Sequence, residues 1–293
     1  MVRGSRDAPP AQASQRDDRV LTATRVLALV LVPILLTAFV ILYAFPGDTA
    51  RLFAWTIRPE LTPMVLASAY LGGAWFFVRV ARERRWARIG AGLLAVALFA
   101  ALLGIATVLH WDRFNHGHPA FWLWTALYLS APFAVLAVWL ANEQVAAPPR
   151  PDELRVTRVA RALVAGGAAL ALVQGLVMFA APSFVVPAWP WSLTPLTCRV
   201  VGAVFCLGSA GLVVLVDSRW VRVSLMVEVE VVMLTLMLVG GLRARGDLHA
   251  DRPLTWLLLT GFVATLAASL RLWWVMARAD RKTRAGLRGS GAR

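Results

Sequence analysis

The chain is poor in acid, in cysteine and in lysine. Its 293 residues include 16 Asp and Glu, two cysteines, four histidines and a single lysine, Lys282. Charged residues make up 16% of it, against about 25% in an ordinary soluble domain. That is too little charge to cover a soluble protein of this size. Cys198 and Cys206 fall in one apolar run. On a helix they stand ~12 Å apart along the axis, beyond the ~7 Å reach of a disulfide, so a disulfide framework is excluded. The chain also lacks a P-loop, GxSxG, HExxH, a GxGxxG behind a strand and any Asp-rich divalent-metal motif. No cofactor and no catalytic residue are therefore expected.

Apolar sequence is what the chain has in abundance. Hydrophobic residues make up 59%, and the mean hydropathy is +0.67 over the whole length. Such a composition points to a multi-pass membrane protein with the lipid bilayer as its first partner. The net charge of +14 does not point to nucleic acid, because the arginines lie between apolar runs rather than on one soluble face.

About 20 apolar residues cross a ~30 Å hydrocarbon core as a helix. Eight runs qualify, over 24–45, 63–82, 88–110, 119–141, 158–181, 195–216, 221–243 and 253–276. The fold expected is an all-α integral membrane protein of eight transmembrane helices. The polar, Pro/Ala-rich stretch 1–23 reads as a disordered tail. The run behind it is longer than a signal-peptide core, and no cleavage site follows it, so it reads as a retained span. Stretches such as AGGA at 165–168 are expected to allow close helix packing. Pro33 and Pro132 fall inside spans, where they are expected to kink the helix.

Loop charge sets orientation. The N-terminal tail, the turns at 79–88 and 217–222, the 142–161 linker and the C-terminal tail together hold 22 basic residues. The other four loops hold six. Both termini are therefore expected in the cytoplasm, and the location expected is the bacterial cytoplasmic membrane.

The chain also repeats itself. RWARI at 85–89 returns as RWVRV at 219–223, a shift of 134, which also carries Pro119 to Pro253, Trp122 to Trp256 and Trp139 to Trp273. Upstream, Arg25, Pro46 and Trp55 match Arg161, Pro182 and Trp191 at a shift of 136, and LTP occurs at 61–63 and 193–195. Ordered landmarks at a nearly constant shift read as duplication. With four spans each, the repeats at 24–141 and 158–276 insert in the same orientation, as a 4+4 parallel pair. The Pro-rich 142–157 joins them in the cytoplasm, and 277–293 is a basic tail. Thr62–Pro63 and Thr194–Pro195 read as helix caps followed by proline at the first helical position.

Three features could carry chemistry. His110, Asp112, His116 and His118 lie in the loop between spans 3 and 4, and Asp247, His249 and Asp251 in the matching loop between spans 7 and 8. All the histidine of the chain thus falls on one side. His and carboxylate together can hold Zn, Cu, Ni or Fe or respond to pH, though H-x5-H-x-H matches no strong zinc signature. They are also ordinary cap and loop residues at a wet interface.

Glu228 and Glu230 lie inside span 7, where an acid is costly. Two residues apart on a helix is about 200°, so they face opposite sides. Their matches in the first half, Leu94 and Val96, are apolar. They read either as a proton or cation relay or as a structural pair, with Arg199 as one available partner. The third feature is the pair of apolar loops RLFAWTIRPELTP and SFVVPAWPWSLTP, with Trp55, Trp189 and Trp191. These are expected at the outer interface, as anchors or as lids over a site.

FAWTIRPELTP and HWDRFNHGHPAFWLW resemble a family of polytopic membrane proteins of GC-rich bacteria to which no activity is assigned. The resemblance covers most of the chain and implies a multi-pass fold, with no substrate attached. The function class expected first is a permease-like or transport-associated protein for a small solute or ion. A membrane sensor or assembly protein that binds a metal or partner at the His/Asp loops is the second. A membrane-embedded redox or lipid enzyme is the third. Oligomeric state is left open.

Overall fold

The computed structural model describes residues 18–146 and 153–290, with side chains as far as Arg281. The expected disordered tail falls mostly outside the described residues, as do 147–152 of the linker and 291–293 of the C-terminal tail. Among the described residues there is no β-strand, and eight helices are long and apolar enough to cross a membrane. We label them α1 (Thr22–Ala44), α2 (Leu61–Arg82), α3 (Gly90–Leu109), α4 (Pro119–Val145), α5 (Arg158–Ala180), α6 (Pro195–Val216), α7 (Trp220–Arg243) and α8 (Pro253–Ser290). Chain and lipid agree here: only a helix satisfies every backbone polar group within its own segment.

The boundaries differ from the apolar runs mainly at polar ends. α4 continues through Asn142 to Val145, and α8 runs on into the basic stretch as far as Ser290. α1 and α4 continue through Pro33 and Pro132. The two LTP tripeptides adopt different positions. Thr194 is a true cap, its hydroxyl accepting from Thr197 N–H in a capping box, with Pro195 opening α6. Thr62 is the second residue inside α2, and the cap for that helix comes from far away, as Asp247 Oδ2 accepts from Leu61 N–H at 2.9 Å.

Four helices are inner and four outer. α1 packs on α2, α4 on α3, α5 on α6 and α8 on α7, while α2 meets α7 and α3 meets α6 across the middle. Between 39% and 67% of the apolar stretch of each inner helix is buried, against 11–28% for the outer ones. Outer residues such as Leu29, Leu170 and Leu257 are exposed. A helix that is apolar all round suits a lipid neighbour on that face.

Close helix approach is made by glycines, though not by those of the AGGA stretch. A Cβ on Gly175 would lie 2.5 Å from Gly202 O, and one on Gly202 would lie 2.6 Å from Gly175 O. α5 and α6 thus touch backbone to backbone, as small residues permit. Gly166 and Gly167 face open space instead. In that stretch it is Ala168, and Ala171 beyond it, that contact α6, where Gly211 and Gly208 leave room in a 3₁₀ segment, Leu207–Leu212.

Candidate functional site: polar contacts at the two ends and an aromatic cavity

The two ends of the bundle differ in chemistry. One carries the histidine loops and the other the arginine-rich turns.

At the histidine end the four imidazoles go to separate partners. His110 follows the last turn of α3, and its Nε2 lies 2.8 Å from Arg199 Nη1 on α6. Burial first, and then the Arg199 charge, hold the His110 pKa below its ordinary value. The imidazole is therefore neutral at pH 7 and accepts from the guanidinium. The partner of Arg199 is thus His110, and neither intramembrane glutamate reaches it. Arg199 Nε has no partner among the described residues.

The ring of His116 packs against Phe121, with centroids 4.7 Å apart, and its carbonyl accepts from Trp122 Nε1. His118 caps α4 through Nδ1, which accepts from Ala120 N–H at 3.1 Å. His249 Nε2 lies 3.3 Å from Ser192 Oγ. Asp112 pairs with its neighbour Arg113 on the surface, Asp247 caps α2, and Asp251 is exposed in the turn before α8. No group of three or more His, Cys, Asp or Glu converges among the described residues.

The tryptophan loops fold inward. Trp55, Trp189 and Trp191 are all buried. Trp55 packs on Phe53, Phe114 and Trp124. Trp189 packs edge-on to Trp191, whose indole N–H donates to Thr62 Oγ1 at 3.0 Å. Large rings in a short loop lose more by facing water than by filling the space between helix ends.

The arginine end is ionic. Glu228 of α7 lies 3.1 Å from Arg79 Nη1 at the end of α2 and 3.2 Å from Arg88 Nη2 just before α3. Glu153 accepts from both Arg85 and Arg219. Asp217 accepts from Arg219 and, at 3.2 Å, from Arg222. Burial works against ionisation of Asp217, but the Arg219 hydrogen bonds outweigh it and bring its pKa down to about 2. Glu153 is lowered by the same balance, its burial outweighed by Arg85 and Arg219. Asp18, ahead of α1, holds Arg85 at 3.2 Å and caps Ala87 N–H. Glu230 is separate from all of this, for Ser269 of α8 donates to its Oε2 at 2.7 Å. Glu228 and Glu230 therefore diverge to different helices, as their spacing requires.

A cavity of about 270 Å³ opens between α1, α2, α4 and the loop after α1. Its walls include Pro33, Ile41, Phe53 and Trp124, and Tyr70 and Tyr128 also line it. Tyr128 donates to Tyr70 with the oxygens 2.9 Å apart, and Trp124 Nε1 donates to Thr107 Oγ1.

No family model, curated protein or solved structure matches this chain.

The tyrosine pair is what motif reading passed over. A signal existed: the chain has three tyrosines, and two of them lie in the middle of spans, away from the interface where tyrosine gathers.

Proposed function

We propose that this chain is a permease-like protein of the bacterial cytoplasmic membrane, made of two four-helix units in parallel orientation with both termini in the cytoplasm. Duplication is supported by hydrogen bonds that recur at the shifts found in the sequence. Asn115 N–H donates to Ala54 O and His249 N–H to Pro190 O, both at 2.8 Å. Trp122 Nε1 donates to His116 O and Trp256 Nε1 to Ala250 O, both at 3.0 Å. At the other end, Val20 and Trp86 pair with Arg84 and Asp18 as Val156 and Trp220 pair with Ser218 and Leu154. The backbones of Arg19 and Arg85 pair in an antiparallel bridge, as do those of Arg155 and Arg219. Orientation is supported by the basic residues gathered at the arginine end.

One observation carries the transport reading. The join between the units is closed at both ends by different chemistry. At the arginine end, Glu228 of the second unit sits between Arg79 and Arg88 of the first. At the histidine end, Asp247 and Trp191 of the second unit bond Leu61 and Thr62 of the first, and Arg199 meets His110. Two latches across one join, ion pairs at the arginine end and hydrogen bonds at the histidine end, are what rocking of one unit on the other would break in turn.

The test is reciprocity. Single cysteines replace Leu61 at the histidine end, whose latch bond is made by its backbone N–H, or Met226 at the arginine end, in a chain with Cys198 and Cys206 changed to Ala. Labelling by an impermeant maleimide is followed in right-side-out and inside-out vesicles. Glu228→Gln should raise labelling at 226 and lower it at 61, and Asp247→Asn should do the reverse. Effects confined to the altered end would favour a static sensor or assembly protein and reject the permease reading.

A further inference from the structure

The cavity between α1, α2 and α4 plays no part in the latches, and its chemistry is not that of a simple gap filled by lipid. Tyr70 and Tyr128 are 2% and 3% exposed, and both line it. Two phenols bring two protons, and the single bond between them uses one. Neither hydroxyl is paired with any other described residue. One buried O–H is therefore left over beside an apolar cavity, a costly arrangement unless something accepts from it.

Depth narrows the choice of acceptor. Tyr70 is the tenth residue of α2 and Tyr128 the tenth of α4. Both lie ~14 Å along the axis from the histidine end, close to the middle of a ~30 Å hydrocarbon core. A glycerophospholipid keeps its ester carbonyls at the edge of that core, and its chains bring no acceptor to the middle. The occupant must be lipid-soluble throughout and carry its own acceptor inward.

Size and shape narrow it further. The volume of about 270 Å³ is just below the ~300–1,000 Å³ of sites that enclose a drug-sized molecule. A substituted ring fits, and a long tail must lie outside. Phe53 and Trp124, with centroids 5.6 Å apart, form an aromatic wall. α1 and α4 meet only sparsely, and Pro33, Thr37 and Leu123 at the rim are exposed. A tail can leave there into the bilayer.

We infer that this cavity binds a membrane-soluble molecule of the quinone class. A ring carbonyl accepts the spare phenolic hydrogen of the Tyr70–Tyr128 pair. The ring lies against Phe53 and Trp124, and the apolar tail passes between α1 and α4. Binding alone is assigned, with no electron transfer. In the second half the positions matching Tyr128 and Tyr70 are Phe262 and Gly202, so the phenol chemistry belongs to the first half only. The site does not depend on the two-latch reading, and its test involves no transport.

The protein is placed in nanodiscs of phosphatidylethanolamine and phosphatidylglycerol, and binding of tritiated decylubiquinone is measured with decylbenzene as a competitor. Saturable binding of one molecule per chain is expected, with decylbenzene at least about 10-fold weaker because it lacks the carbonyl. Tyr70→Phe with Tyr128→Phe should weaken decylubiquinone by about 10-fold and leave decylbenzene unchanged. Leu123→Trp, at an exposed rim position where folding is not at stake, should abolish saturable binding by closing the exit. Non-saturable partitioning, equal affinity for the two compounds, or saturable binding that survives Leu123→Trp would overturn the assignment. So would a co-purifying phospholipid that decylubiquinone fails to displace.

Discussion

Arg85 and Arg219, 134 positions apart in the chain, donate to the two oxygens of one carboxylate, that of Glu153. A single linker residue thus ties together the turns that precede α3 and α7. Arg219 is 4% exposed, so its charge depends on Glu153 and Asp217 for compensation. Removing one partner of such a group costs more than the pair contributes when intact, because the other charge is left stranded.

The pH dependence of this cluster has a definite sign. The carboxyls of Asp217 and Glu153 ionise more readily in the folded protein than in the open chain. The unfolded chain then binds more protons, so stability is fully present above the unfolded carboxyl pKa, near ~4, and is lost as pH falls through the folded value, about 2 for Asp217. The melting temperature in detergent should drop between about pH 5 and pH 2. Glu153→Ala with Asp217→Ala should lower it at neutral pH and flatten that acid limb. An unchanged limb would mean that other groups set it.

His110 makes a second, separate pH limb. Its pKa is lowered in the fold, so the unfolded chain takes up a proton that the folded protein refuses as pH falls below ~6.5. Stability should therefore rise with pH through the range just below the ordinary histidine pKa of ~6.5. His110→Gln, which keeps an acceptor for Arg199 and does not titrate, should remove this rise. A rise that persists in the variant would assign it to another group.

The glycines separate into two groups by what faces them. Gly175→Val or Gly202→Val drives a side chain into a backbone carbonyl of the neighbouring helix and should cost about 1–3 kcal/mol in a detergent unfolding titration. Gly166→Ala and Gly167→Ala meet nothing within 4 Å and should be neutral, or gain up to ~1 kcal/mol from helix propensity. Equal losses at all four positions would contradict this packing of α5 on α6.

Trp191 and Thr62 can be tested as a pair. Trp191→Phe and Thr62→Val each break one buried hydrogen bond. A double-mutant cycle should return a coupling of about 0.5–1.5 kcal/mol. A coupling near zero would mean that the indole N–H is satisfied by water instead.

Much of this molecule was legible before any fold was known, and for one physical reason. In a bilayer, length and apolar composition nearly decide secondary structure by themselves, so eight runs of residues became eight helices with ends a few residues off, save for α8, which runs on past 276 to Ser290. The divergence of Glu228 and Glu230 followed from helix geometry alone. Partners did not follow. Arg79 and Arg88 reach Glu228 only because α2 and α3 fold against α7, and His110 meets Arg199 only because α3 lies beside α6. The histidines, close in sequence and matched between loops, were dispersed by local needs: one caps a helix, one packs on Phe121, one accepts from an arginine. LTP could be read at both places, yet only Thr194 caps its own helix, since Asp247 of a distant loop caps α2. The phenol pair of Tyr70 and Tyr128 arose from helices 58 positions apart in the chain. Sequence by itself determined what each segment could tolerate around it, which is local physics. Which polar side chain completes which other was decided only when the helices met, because compensation of buried polar groups is a property of pairs.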